Sequence, residues 1–96
     1  MAVNHKIVND IVNHVDSDNK SNWYVGIATN PTNRLFDDHC VDKEHGGWIY
    51  RDASNETDAR DTEAYLLNKY HFKGDVGGGN HPTYIYAYKI TFYTKQ

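Results

Sequence analysis

The sequence predicts a small α/β domain of the α+β type, with a central sheet of about three mainly antiparallel strands flanked by helices. Three observations carry this expectation. Helical and strand-like patterns alternate along the chain, in the order helix, strand, helix, strand, helix, strand. The connections are short, which suits antiparallel strands with helices packed on a face of the sheet. Near the C-terminus, "TYIYAYKITFY" is the strongest strand signal in the sequence. A chain of 96 residues with 39% apolar content supplies one modest core. Residues 1–96 therefore read as a single domain: 1–21 an N-terminal helix and linker, 22–80 the central region, and 81–96 the C-terminal strand.

In "HKIVNDIVNHV", Ile7, Val8, Ile11, Val12 and Val15 fall at helical spacing, with Asn9, Asp10, Asn13 and His14 on the other side. The polar string "DSDNKSN" ends that helix. "NWYVGIA" is rich in aromatic and β-branched residues and reads as the first strand, interior to the sheet. In "NPTNRLFDDHC", Asn30 can cap a short helix, and Pro31 suits its first position because the missing N–H has no partner there anyway. Gly46 and Gly47 make a turn before the second strand, "WIYRDA". Asn55 or Thr57 caps the helix "DARDTEAYLLNKY", whose buried face carries Ala59, Leu66, Leu67 and Tyr70. "KGDVGGGNHP" has no periodicity and is a glycine-dense loop before the last strand.

Composition narrows the function classes. A formal charge of −3 argues against tight, unspecific nucleic-acid binding, so any such contact needs locally clustered Lys and Arg. Cys40 is the single cysteine and offers neither a disulfide nor a zinc-ligand spacing with the six histidines, His5, His14, His39, His45, His71 and His81. No apolar run reaches the roughly 20 residues that cross a bilayer, and "MAVNHKIVND" lacks a signal peptide's unbroken apolar stretch. The chain reads as soluble and cytoplasmic, with no membrane partner.

"YVG" (Tyr24, Val25, Gly26), Arg34 ten residues later on a helix, a strand, and then a helix carrying "ARDTEAYLL" with Glu63 resemble the GIY-YIG nuclease domain over roughly residues 22–80. The resemblance implies a metal-dependent endonuclease or phosphodiesterase acting on DNA or RNA. Around the scissile phosphate it places Tyr24, Arg34, Glu63 and Asn80, with Tyr24 as base, Glu63 on Mg²⁺ or Mn²⁺ and Asn80 positioning the substrate. The family's first half-motif, a Gly-Ile-Tyr strand about ten residues before "YVG", is absent; the first helix and "DSDNKSN" occupy that place. The last strand can fill the vacated position in the sheet and supply a substitute tyrosine. One helical turn after Arg34 the family often carries a histidine or tyrosine. Here that position is Asp38, and at 100° per residue His39 is turned about 140° away from Arg34.

Each of these residues also has a purely structural reading. Glu63 lies on the apolar face of its helix, where a carboxylate is costly unless it binds a cation or a strong donor; the alternative is a pair with Arg60 or Lys69. Arg34 can donate to a phosphate as a bidentate pair or pair with Asp37 or Asp38. Tyr24 is a base only if a metal or neighbour stabilises the phenolate, and otherwise a core residue with a wet hydroxyl. Asn80 follows three glycines whose N–H groups can form an anion nest. Among the histidines His39 alone has a site role, and His45 is a poorer candidate. Tyr84, Tyr86 and Tyr88 share a strand face and either stack single-stranded bases or pack the sheet. A catalytically inactive binding module on the same fold, contacting a nucleotide, nucleic acid or protein partner, is the alternative function. An active nuclease should gather Arg34, Lys43, Arg51 or Lys73 around the cleft.

Overall fold

The computed structural model describes residues 3–16, 18–43, 47–74, 81–91 and 94. Asn80, His45, Gly46 and the "FY" of the last segment lie outside the described residues. The elements are α1 (His5–Val15), a 3-10 turn (Lys20–Asn22), β1 (Trp23–Ala28), a π-helix (Asn33–Asp38), β2 (Ile49–Asp52), α2 (Glu56–Tyr70) and β3 (Tyr84–Lys89). The three strands form one antiparallel sheet in the order β1-β3-β2, an α+β fold of the expected class.

Helix α1 forms because its apolar residues make one stripe and its start is capped. The Asn4 side chain accepts from the Ile7 backbone N–H at 3.2 Å, and Ile7, Val8, Ile11 and Val15 are buried. The Asn4 N–H in turn donates to Thr62 Oγ1 at 2.9 Å, which ties this cap to the middle of α2. The polar string after α1 is a hydrogen-bonded connection. Asn19 Oδ1 accepts from Ser21 N to start the 3-10 turn, and Asp18 Oδ2 receives both the Trp23 indole N–H at 2.9 Å and the Lys89 ammonium at 3.1 Å. Those two donors hold the Asp18 carboxyl below its ordinary range, the indole contributing most. Asn55 is the residue that caps α2, its Oδ1 accepting from Asp58 N at 2.8 Å.

Strand alternation splits the core into two. On one face Trp23, Val25, Ile27, Ile49, Ile85 and Ala87 pack against α1, against Ala59 and Leu66 of α2, and against Phe72. On the other, Tyr24, Ala28, Tyr86 and Tyr88 pack against Leu35 and Val41, with Phe36, Trp48, Tyr50 and Ile90 partly buried around them. Both faces of the sheet are covered, so all six residues of β1 are buried.

The sequence expectation that "YVG" is interior is corrected here: β3 is the middle strand and β1 an outer one. The residues after α2 explain why an outer strand is still buried. Val25 N donates to Lys73 O at 2.8 Å and Lys73 N to Trp23 O at 2.9 Å, a single parallel bridge that satisfies the outer edge of β1. On α2, Ala59 and Leu66 are wholly buried as expected, whereas Leu67 and Tyr70 are only partly so.

Leu66 is 0% exposed and sits in the larger core. Its truncation in Leu66→Ala should cost about 2–5 kcal/mol, read as a lowered denaturation midpoint at unchanged slope. A loss below about 1 kcal/mol would show that α2 does not anchor this core.

Candidate functional site

The second core holds a cluster of buried polar groups. Its centre is Tyr86, 1% exposed, which pairs across the sheet with Gly26. The ring lies directly over that glycine. A Cβ at Gly26 would stand 2.5 Å from the Tyr86 hydroxyl oxygen and 2.6 Å from Cζ, so any other residue would displace the ring. The glycine of "YVG" is thus a packing requirement, set by a tyrosine about sixty positions away.

The helix after Pro31 supplies the next two groups. Asn30 Oδ1 accepts from Asn33 N at 3.3 Å and from Thr32 Oγ1 at 2.8 Å, which caps the start as expected. The helix then widens. His39 N donates to the Arg34 carbonyl at 2.9 Å, a bond spanning five residues, and Val41 N donates to Leu35 O at 2.9 Å. A π-helix fits one more residue into each turn than an α-helix does. Leu35, 0% exposed, anchors the segment in the core beneath it.

This geometry overturns the expectation that His39 points away from Arg34. The 140° offset assumed α-helical spacing, and in a π-helix the residue one turn beyond Arg34 is His39 rather than Asp38. His39 is 4% exposed. Its Nε2 stands 2.7 Å from the Tyr86 hydroxyl and its Nδ1 3.1 Å from the Tyr88 hydroxyl. A neutral imidazole donates through one nitrogen and accepts through the other, so the two tyrosines hold opposite hydrogen-bond roles. The Tyr24 ring is 4.8 Å from the His39 ring, centroid to centroid, and stacks on Tyr88 at 5.2 Å. Three tyrosines therefore box one histidine.

Arg34 reaches the same centre. Its hydrogen bond with Tyr86 is the main force holding the guanidinium's pKa above its ordinary value, with Asp38 and Tyr24 adding smaller contributions. The expected salt bridge is also present, Nη1 to Asp38 Oδ2 at 3.4 Å, and the Arg34 side chain is 43% exposed. Burial pushes the Tyr86 hydroxyl up to about 12 despite the opposing pull of Arg34. Burial moves Tyr88 up further.

Glu63 completes the group. It is 1% exposed on α2, and its charge is close enough to Tyr86 to disfavour the phenolate. Glu63 engages its surroundings, and its Oε2 is buried with no hydrogen-bond donor. Arg60, one of the two ion-pair partners expected for it, holds Glu56 at 2.6 Å. Tyr24, Arg34 and His39 thus gather around Tyr86, and the charge of Glu63 reaches it from α2, while Asn80 and His45 fall outside the described residues. Among the described residues no three His, Cys, Asp or Glu side chains form a metal cage. Tyr88 and, as a specific residue, Tyr86 were not singled out from the sequence for this site. The signal for them is the tyrosine alternation of the last strand, which the base-stacking reading shared. That reading fails for Tyr86 and Tyr88, which are buried.

Of the four cations expected at a nucleic-acid cleft, Arg34 is in the site and Lys43 lies 5.1 Å from the Phe36 ring centroid beside it. Lys73 joins through its backbone next to Tyr24. Arg51 is committed elsewhere, to Asp10 of α1 at 3.2 Å. No helix among the described residues is long and apolar enough to cross a membrane. Comparison with family models, curated proteins and solved structures returns no match to this chain.

Gly26→Ala should destabilise by about 1–3 kcal/mol, the usual range for overpacking a filled core. It should also shift the His39 ring resonances in NMR spectra as Tyr86 is expelled; unchanged resonances and stability would show that the ring is not pinned. A second expectation concerns alkaline pH. Tyr86 titrates near 12 when folded and near 10 when unfolded, so the folded state holds the extra proton. Its contribution to stability is complete below about pH 10 and is lost as pH rises towards 12. Tyr86→Phe should flatten the fall of melting temperature across that window, and an unaltered slope would refute the assignment.

Proposed function

We propose that this chain is a metal-dependent phosphodiesterase acting on nucleic acid, of the GIY-YIG type its sequence resembles. The observation that carries the proposal is the π-helical turn, which brings Arg34 and His39 to a single tyrosine hydroxyl beside Tyr24 and Glu63. Tyr86 takes the part of the tyrosine missing from the first half-motif. A strand ten residues ahead of β1 would have been its hairpin partner, and β3 is the strand that pairs antiparallel with β1.

Arg34 is the partly exposed cation of the group and meets a phosphate as a fork of N–H donors. Tyr86, kept protonated by burial, can donate beside it when His39 donates from Nε2 to the Tyr86 oxygen. Two fixed donors aimed at one oxygen stabilise the charge that develops there without reorganising. Tyr24 takes the proton from the attacking water, and Arg34, whose charge reaches Tyr24, is the neighbour that eases the phenolate. A hard oxygen donor beside phenolic oxygens suits Mg²⁺ or Mn²⁺ with one protein carboxylate, the remaining positions filled by substrate and water. Glu63 would hold that cation, which when bound polarises a phosphate oxygen.

The second reading is an inactive module on the same fold that binds DNA, RNA, a nucleotide or a protein partner. Its support is the near-complete burial of Glu63 and His39, at 1% and 4% exposure. A cleavage assay separates the two. With Mg²⁺ or Mn²⁺ the wild type should cut some member of a panel of single-stranded, branched and duplex DNA and RNA. Arg34→Gln and Glu63→Gln should each lower the rate by about 100-fold or more with melting temperatures close to wild type. Failure to cut any substrate, or equal rates in the variants, would refute catalysis at this site.

A further inference from the structure

A row of aromatic rings leaves the site along the same face of the sheet. Phe36 meets Trp48 edge to face at 5.2 Å, Trp48 lies parallel to Tyr50 at 5.9 Å with 11° between planes, and Tyr50 meets Tyr84 at 6.1 Å. All four are half-buried, unlike the enclosed Tyr86 and Tyr88. Tyr50 and Tyr84 form one wall of a groove of about 420 Å³, and Thr29, Asn30, Pro31 and Thr32 form the other. That volume is within the range of small-molecule sites, which start at about 300 Å³.

We infer that this groove is a nucleobase subsite: the ring of a single-stranded nucleotide lies on Tyr84 and Tyr50 while its phosphate meets the exposed side of the Arg34 guanidinium. The inference rests on the phosphodiester reading of that centre. Tyr84 and Tyr86 are two positions apart on one strand, hence about 7 Å apart on the same face. Arg34 is hydrogen-bonded to Tyr86, so a phosphate on its exposed side and a base on Tyr84 stand about one nucleotide apart. The groove's chemistry matches the base rather than the phosphate. No charged side chain lines it, whereas the arginine stands beyond it and its backbone N–H meets the Asn30 carbonyl at 3.3 Å. Hydroxyl and amide groups opposite two aromatic rings offer hydrogen bonds to a base edge and stacking to its face. Trp48, parallel to Tyr50, extends the platform towards Phe36, where Lys43 lies over the ring and can meet a second phosphate. Asp37, Asp38 and Asp42, all exposed near Arg34 and Lys43, leave the local charge slightly negative, so aromatic contact rather than net charge must supply the affinity.

The test is binding without divalent metal, so that it does not depend on cleavage. Tryptophan fluorescence is recorded as a short oligothymidylate is added, and again with an abasic strand of equal length that keeps the phosphates and lacks the bases. The oligothymidylate should quench the emission and bind about tenfold more tightly than the abasic strand, within the usual worth of one stacked base. Tyr84→Leu and Tyr50→Leu should each erase most of that difference while leaving abasic binding unchanged. Arg34→Gln should weaken both strands together. Equal affinity of wild type for the two strands, absence of binding by both, or tighter binding of a neutral oligosaccharide would overturn the inference. The comparison of strands on wild type stands even if a variant fails to fold. Base-dependent binding without cleavage under any metal would sink the phosphodiesterase and spare the subsite; cleavage with base-independent binding would do the reverse.

Discussion

The Tyr86 hydroxyl, lying over Gly26 and held by His39, is the contact on which the arrangement of this molecule depends. It requires a glycine opposite it in β1, since a Cβ there would meet the phenol at 2.5 Å. It requires β3 next to β1, because only the antiparallel register pairs Gly26 with Tyr86. It also requires a histidine buried under the helical segment that follows β1. Each condition is met by a different part of the chain, and the cost of burying three polar groups together is offset only when their hydrogen bonds close on one another. The 2.7 Å and 3.1 Å bonds of His39 to Tyr86 and Tyr88 are that closure.

The π-helix is the local price of the same contact. An α-helix from Pro31 would present Asp38 to the tyrosines and turn His39 outwards. One extra residue per turn exchanges them, leaving Asp38 exposed, where it pairs with Arg34, and His39 inside. A widened turn packs less well along its own axis and is seldom kept without a reason. The reason here is side-chain placement, because the wide turn lets Arg34 and His39 share one target while Leu35 stays in the core.

What was legible in the sequence follows from the range of the forces involved. Stripes such as Ile7, Val8, Ile11 and Val15, the caps at Asn30 and Asn55, and the alternation in "TYIYAYK" are local signals, and the elements they specify are present. Strand order is not local. Nothing within "YVGIA" tells whether it lies in the middle of a sheet, and part of its outer edge is bonded by Lys73, which reaches it only after α2. The position of His39 was misread for a related reason: 3.6-residue periodicity is the default for any short helix, and the departure from it is enforced by Tyr86 and Tyr88, about fifty positions downstream. Tyr24, Arg34 and Glu63 were legible as a set only through their resemblance to a known arrangement. By residue type alone each reads equally well as packing or ion pairing.

Burial then decides how the cluster can be approached. Tyr24, His39, Glu63, Tyr86 and Tyr88 are all at 7% exposure or below, so a ligand meets the group at Arg34. Arg34 donates its backbone N–H to Asn30, which lines the groove walled by Tyr50 and Tyr84, while Arg51 pairs with Asp10 on α1. A flat charged patch would favour any polyanion by long-range attraction. One accessible guanidinium at the end of a neutral aromatic groove instead favours a partner that carries its charge and its ring a fixed distance apart. On the nucleobase reading, selectivity comes from the spacing between Arg34, which is hydrogen-bonded to Tyr86, and Tyr84, two positions before Tyr86 on the same strand.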